Sequence, residues 1–176
     1  MITLVLGGAR SGKSDVAEGL VTRHRPPVTY VATMDPAGDP ELEARVEAHR
    51  RRRDPSWATV VVGGDGDLAG LLGRVEGTVL VDSLGPWVAG FGGREGVVEA
   101  RGAALCAVLA ARAGDTVLVS DEVGLAVHPS SAEGRLFRDT LGAVNHAVSA
   151  VADAAYLVVA GRALELPPAG PPGNAA

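Results

Sequence analysis

One stretch near the front of the chain limits the choice of fold more than any other: Gly7-Gly8-Ala9-Arg10-Ser11-Gly12-Lys13-Ser14. It matches G-x-x-x-x-G-K-[ST], a loop whose backbone N–H groups converge on an anion. Such a loop works between the end of a strand and the start of a helix, where the helix dipole adds positive potential. Both flanks fit. Ile2 to Leu6 is a short apolar, β-prone run, and Ser14 to Arg23 can continue as a helix carrying Val16, Ala17, Leu20 and Val21. Lys13 is the only lysine among 176 residues, against fifteen arginines. A compact ammonium can reach β- and γ-phosphates where a planar guanidinium is a broader fork. The Ser14 hydroxyl is the matching Mg2+ ligand. The loop therefore predicts binding of a nucleoside triphosphate.

The rest of the chain supplies a fold for it. Further strands are predicted at Val28–Thr33, Thr59–Val62, Thr78–Val81, Thr116–Ser120 and Tyr156–Ala160. Helices are predicted at Gly12–Arg23, Pro40–Arg53, Leu68–Arg74, Glu95–Arg112 and Ala132–Val151. The strands are continuous apolar runs, the pattern of strands covered by helices on both faces. The alternation gives an α/β fold of P-loop NTPase type, three layers around a mostly parallel central sheet, with ligands at the carboxyl ends of the strands. One domain spans residues 1–166. Residues 167–176, rich in proline and glycine, read as a disordered tail. "VVGGDGD" (Val61–Asp67) and "GFGGREG" (Gly90–Gly96) read as flexible loops.

Composition narrows the class of function. A net charge of −5 argues against nucleic acid as the main partner. A single cysteine, Cys106, excludes a disulfide framework and a Cys-rich metal site, and its apolar neighbours predict a buried helix position. Hydrophobic residues make up 47% of the chain with only six aromatics, so the core is built from small side chains and subunit association would help stabilise it. No apolar run approaches a membrane span and no leader precedes the first strand, which predicts a cytoplasmic protein.

A second cluster lies in Gly38–Trp57, "GDPELEARVEAHRRRRDPSW". Asp39-Pro40 followed by Glu41 and Glu43 is a helix start. On that helix Arg45, His49 and Arg53 recur every four residues and form a column along one side. His49 also borders the apolar positions Leu42 and Val46. Arginines a turn above and below a histidine disfavour its protonation and leave a neutral, nucleophilic imidazole, and they can hold phosphate oxygens. A solvated basic helix end is the alternative reading of the same run.

Asp82 ends the run "TVLVD", where a P-loop protein places the carboxylate that organises Mg2+; a strand-end cap is the alternative. Glu122 ends another strand and is a further candidate. His24 lies by a helix end, His128 in a loop, and His146 on a helix face read as apolar. None has metal-ligand spacing with another histidine or cysteine.

The order of these blocks resembles the bifunctional adenosylcobinamide kinase / adenosylcobinamide-phosphate guanylyltransferase family of cobalamin biosynthesis. The resemblance runs from Ile2 to about Leu166. It is carried by "GGARSGKS" (Gly7–Ser14), "YVAT" (Tyr30–Thr33), "RVEAH" (Arg45–His49) with Trp57 eight residues on, "LVDSL" (Leu80–Leu84), "LVSDEVG" (Leu118–Gly124), "FRDTLGAVNHAV" (Phe137–Val148) and "LVVAG" (Leu157–Gly161). It implies an enzyme that phosphorylates adenosylcobinamide with ATP or GTP. GMP then passes from GTP to a histidine and on to adenosylcobinamide phosphate, giving adenosylcobinamide-GDP. His49 takes that histidine's place. Lys13 and Arg50, Arg51, Arg52 and Arg53 become the groups that neutralise phosphoryl charge, while Ala32, Thr33 and Met34 become nucleotide contacts. Mg2+ is the implied cofactor, on Ser14 and Asp82, and a homotrimer the implied assembly.

The sequence departs from the family pattern in places. Asp54 separates Arg53 from Pro55 where the family has Arg-Pro. Val61 stands where a glutamate is common, and Asp121 replaces the asparagine of "NEVG". These changes bear on guanine selectivity and fine geometry. A P-loop small-molecule kinase without guanylyl transfer is the alternative function. A GTP-controlled switch is a poorer one: Asp82–Gly85 satisfies D-x-x-G, but with Lys13 the sole lysine the N-K-x-D guanine motif cannot occur.

Overall fold

The computed structural model describes residues 1–24, 26–34, 38–63, 66–92, 94 and 96–168, with the backbone alone at positions 41, 42, 45, 48, 49 and 52. Seven strands form one sheet: β1 (Ile2–Gly7), β2 (Val28–Ala32), β3 (Ala58–Val61), β4 (Thr78–Asp82), β5 (Thr116–Asp121), β6 (Ala154–Val159) and β7 (Arg162–Glu165). Their spatial order is β3-β2-β4-β5-β1-β6-β7. Every pairing is parallel except β6 with β7. The helices are α1 (Lys13–Val21), α2 (Pro40–Arg52), α3 (Leu68–Leu72), α4 (Leu84–Ala89), α5 (Val97–Ala111) and α6 (Ala132–Val151).

Both faces of the central strands are covered, as their unbroken apolar runs require. On one face Ala17 and Val21 of α1 pack with Val5, Leu80, Val117 and Val119. On the other, α3, α4, α5 and α6 bury Leu72, Trp87, Leu105, Leu109, Leu141 and Val148 against Leu4, Val79, Val81 and Leu118. This is the expected three-layer α/β arrangement. Cys106 is only half-buried on α5, and burial pushes its thiol pKa up.

Two elements were not expected. α4 contains Gly85-Pro86, which reads as a break in the sequence, yet Leu84, Trp87 and Val88 bury one side of this short helix. The Trp87 indole donates to the Gly66 carbonyl at 3.1 Å and its ring meets Phe91 edge-on at 5.0 Å, so tertiary contacts hold what propensity does not. β7 returns from β6 through Ala160 (φ 51°) and Gly161 (φ 75°), the pair of positive φ angles that a two-residue hairpin needs. Alanine at the first of these hides the turn. Leu166 continues this edge by donating its N–H to the Ala155 carbonyl. The expected disordered tail lies outside the described residues from position 169, as do parts of both glycine-rich loops.

His146 corrects an expectation. The buried side of α6 is Leu141, Val144, Asn145 and Val148. His146 turns away from that stripe and is exposed. His24 pairs with Asp115 at 2.8 Å, and His128 meets Arg138 at 2.6 Å.

Asn145 is the polar member of the α6 stripe and ties helix to sheet. It accepts from the fully buried Ser120 hydroxyl at 2.6 Å and donates to the Asp121 carbonyl at 3.1 Å. Asn145→Leu leaves both groups without this partner. Urea denaturation should show a loss of about 1–3 kcal/mol, and an unchanged midpoint would contradict the assigned role.

Candidate active site

The loop from Gly7 to Lys13 is shaped by backbone conformations its sequence makes possible. Gly12, with φ 88°, is the cap of α1 and sits in the left-handed region open to glycine. Gly7 has no room for a side chain: a Cβ there would collide with Ser11 Oγ and lie 2.8 Å from the Val158 carbonyl oxygen. The hairpin at Gly161 braces the loop from outside by donating its N–H to the Ser11 carbonyl at 2.8 Å. Arg10 also holds a positive φ, 57°. The Ser11 hydroxyl is buried without a hydrogen-bond partner among the described residues.

A cleft of about 700 Å3 opens over this loop, at the carboxyl end of the sheet. Ala9, Arg10, Ser11, Gly12, Lys13 and Ser14 form its floor; Ala32, Met34 and Asp82 line it from the ends of β2 and β4. Val46 and Arg53 line it from α2 and the residue after that helix. Lys13 Nζ bonds Asp121 Oδ1 at 2.7 Å and the Gly8 carbonyl at 3.3 Å. The pairing of β1 with β5 sets Gly7 beside Asp121, so the ion pair follows from strand register.

Asp82 is held differently. Tyr30, 2% exposed, donates its hydroxyl to Asp82 Oδ2 at 2.8 Å. Burial, then the neighbouring Asp82 charge, push the Tyr30 pKa far above the phenol range, so it stays a donor. The Arg53 guanidinium lies 3.2 Å from the Tyr30 ring centroid, a cation–π contact. Its Nε is buried with no hydrogen-bond partner among the described residues. One cation is thus fixed at the cleft wall opposite the lysine's loop with donor capacity to spare.

Other expected site residues fall elsewhere. Thr33 is fully buried and donates its hydroxyl to the Ser83 carbonyl, tying two strand ends together rather than facing the cleft. Arg50 and Arg51 are exposed and both pair with Glu47 at 3.1 Å. The side chains of His49 and Arg52 lie outside the described residues; position 49 is in the third turn of α2. Glu122 accepts from the Gly124 N–H at 2.7 Å and so shapes the local turn. Asp54 is likewise spent on Ser56, whose N–H and hydroxyl hold its carboxyl below the usual range. Tyr30 and Asp121 were missed as site residues. Their one visible signal was position, at a strand and strand end within the quoted blocks.

Sheet order, loop and cleft together define a P-loop nucleotide-binding protein. The chain belongs to the cobinamide kinase / cobinamide phosphate guanyltransferase family, whose model matches residues 3–166. It is 34% identical to the bifunctional adenosylcobalamin biosynthesis protein CobP of Pseudomonas aeruginosa, over 94% of this chain and 97% of that one. The corresponding CobU proteins of Escherichia coli and Salmonella typhimurium are 33% and 34% identical, each over 92% of this chain and 97% of theirs. A solved structure, the P4 protein from bacteriophage phi6 in complex with ADP, gives a TM-score of 0.42 at 20% identity, covering 92% of this chain and 52% of its own. That likeness is too slight to add to the fold described above.

The Lys13–Asp121 pair competes with any phosphate for the same ammonium. A partly exposed pair of this kind is worth up to about 1 kcal/mol. Asp121→Asn should therefore tighten GTP binding by roughly two- to five-fold in titration calorimetry, and weaker binding would show that the carboxylate assists the nucleotide instead.

Proposed function

We infer that this chain phosphorylates adenosylcobinamide and then guanylylates the product, with His49 as the intermediate guanylyl carrier. The observation that supports the reading best is the placement of α2. Val46 and the residue just beyond that helix, Arg53, both line the cleft over the phosphate loop. Position 49 follows Val46 by three within α2, a spacing that shares one side of a helix.

In the first reaction the acceptor hydroxyl attacks the γ-phosphorus of ATP or GTP and the bond to the β-phosphate oxygen breaks. Lys13 balances charge on the transferring group, and the loop N–H groups orient the β-phosphate. Ser14 and Asp82 would hold Mg2+. Both line the cleft with hard oxygen donors, and among the described residues no group of three or more His, Cys, Asp or Glu forms a cage. One or two protein oxygens completed by water and phosphates is the coordination Mg2+ favours. When bound, that ion screens the phosphate oxygens.

In the second reaction the neutral His49 imidazole attacks the α-phosphorus of GTP and pyrophosphate leaves. The phosphate oxygen of adenosylcobinamide phosphate then displaces the imidazole, which departs readily once protonated. Arg53, whose Nε has no hydrogen-bond partner among the described residues, would bind phosphoryl oxygens in both displacements. A cytoplasmic setting and a homo-oligomer complete the reading; no described helix is long and apolar enough to cross a membrane.

The deciding experiment incubates the protein with Mg2+ and GTP labelled at the α-phosphate, followed by peptide mapping. An acid-labile, alkali-stable label on the His49 peptide is expected, and His49→Ala should lose it while keeping most of the kinase rate. Intact nucleotide binding without label would leave a kinase alone. Lys13→Arg should slow phosphoryl transfer by about 10²-fold in a steady-state kinase assay; near-normal turnover would remove the lysine from the mechanism.

A further inference from the structure

A second cavity, about 500 Å3, lies beside the nucleotide cleft, and the short helix α4 is their common wall. Pro86 lines the cleft, whereas Val88 and Ala89 line the second groove. A helix rises about 1.5 Å per residue, so the residues of α4 that line the two spaces lie within one turn of each other. The far side of the groove is the first half of α6, including Glu133, Leu136, Phe137 and Thr140. Its lining is mainly apolar, with a carboxylate and a hydroxyl among the apolar groups. The connection from Asp121 in the cleft to α6 carries two large apolar side chains left in solvent, Leu125 (81% exposed) and Val127 (94% exposed). Leu136 is itself 48% exposed.

We propose that this groove seats the corrin ring of the acceptor substrate, an inference that rests on the function proposed above. The kinase step requires a hydroxyl at the γ-phosphate, hence at Lys13, while the body of the acceptor lies elsewhere. A 700 Å3 cleft holding a nucleotide has no space for a macrocycle as well. The ring must rest on a neighbouring surface within reach of its side arm, and the groove across α4 is such a surface. Its chemistry also fits. A corrin offers broad apolar faces to Val88, Ala89 and Phe137, and its rim of primary amides donates hydrogen bonds that Glu133 and Thr140 can accept. α4 is suited to be the wall because Trp87 anchors it in the core while Ala89 remains exposed.

Ala89→Trp fills the groove from an exposed position, and Leu136→Asp charges its edge without removing a fully buried side chain. Cobinamide affinity is measured by equilibrium dialysis with visible absorbance, and the mass of each variant by sedimentation. Both variants should weaken cobinamide binding by tenfold or more, raise its KM in the kinase reaction, and leave GTP affinity and GTP-dependent labelling of His49 unchanged. Wild-type cobinamide affinity in both variants would overturn the groove assignment and leave the two-reaction scheme standing. A change of assembly mass with unaltered cobinamide affinity would overturn it too, since the groove would then belong to a second copy of the chain. Failure of the unaltered protein to bind cobinamide would instead overturn the proposed function itself.

Discussion

Everything at this site depends on how β1 is held. It is paired in parallel on both edges, with β5 on one side and β6 on the other, so its last residue, Gly7, sits level with Asp121 and Val158. The chain then has to leave the sheet in a space already occupied by the Val158 carbonyl and Ser11, which only a residue without a side chain can do. From that exit the turn through Gly12 aims the first N–H groups of α1 at the cleft, and the hairpin after β6 presses on the loop from outside. The phosphate loop is thus a product of strand pairing as much as of its own glycines.

The electrostatics follow the same geometry. Two carboxylates end central strands, and each is committed to a different partner. Asp121 takes Lys13, the chain's one ammonium on a side chain, while Asp82 takes a buried tyrosine whose pKa burial and the Asp82 charge push up. Arg53, stacked on that tyrosine, brings positive charge to the opposite wall. Opposed cations with carboxylates between them form a surface that the phosphates of a nucleotide can complete.

Much of this was legible in advance. Loop, strand runs and helix alternation identified the sheet and the end of it at which the cleft opens, since local patterns of apolar residues report burial directly. α4 and β7 were not legible, because Gly85-Pro86 and Ala160 contradict the local preference and are overruled by Trp87 packing and hairpin pairing. In the site, Thr33 reads as a contact from its place after a strand, but the register of β2 with β4 points its hydroxyl at Ser83. Arg50 and Arg51 read as phosphate ligands, and in the structure both pair with Glu47, one helical turn earlier.

The sequence by itself determined the class of chemistry and the family. A glycine loop with a lysine and a serine at set spacing has one main use, and covalent spacing is written in the chain. Tertiary structure alone decided which acid meets Lys13, that Arg53 lines the cleft, and that a second, apolar groove shares a wall with the first. Those facts depend on strand order and register, which bring residues more than a hundred positions apart to within 2.7 Å, a distance that no local pattern encodes.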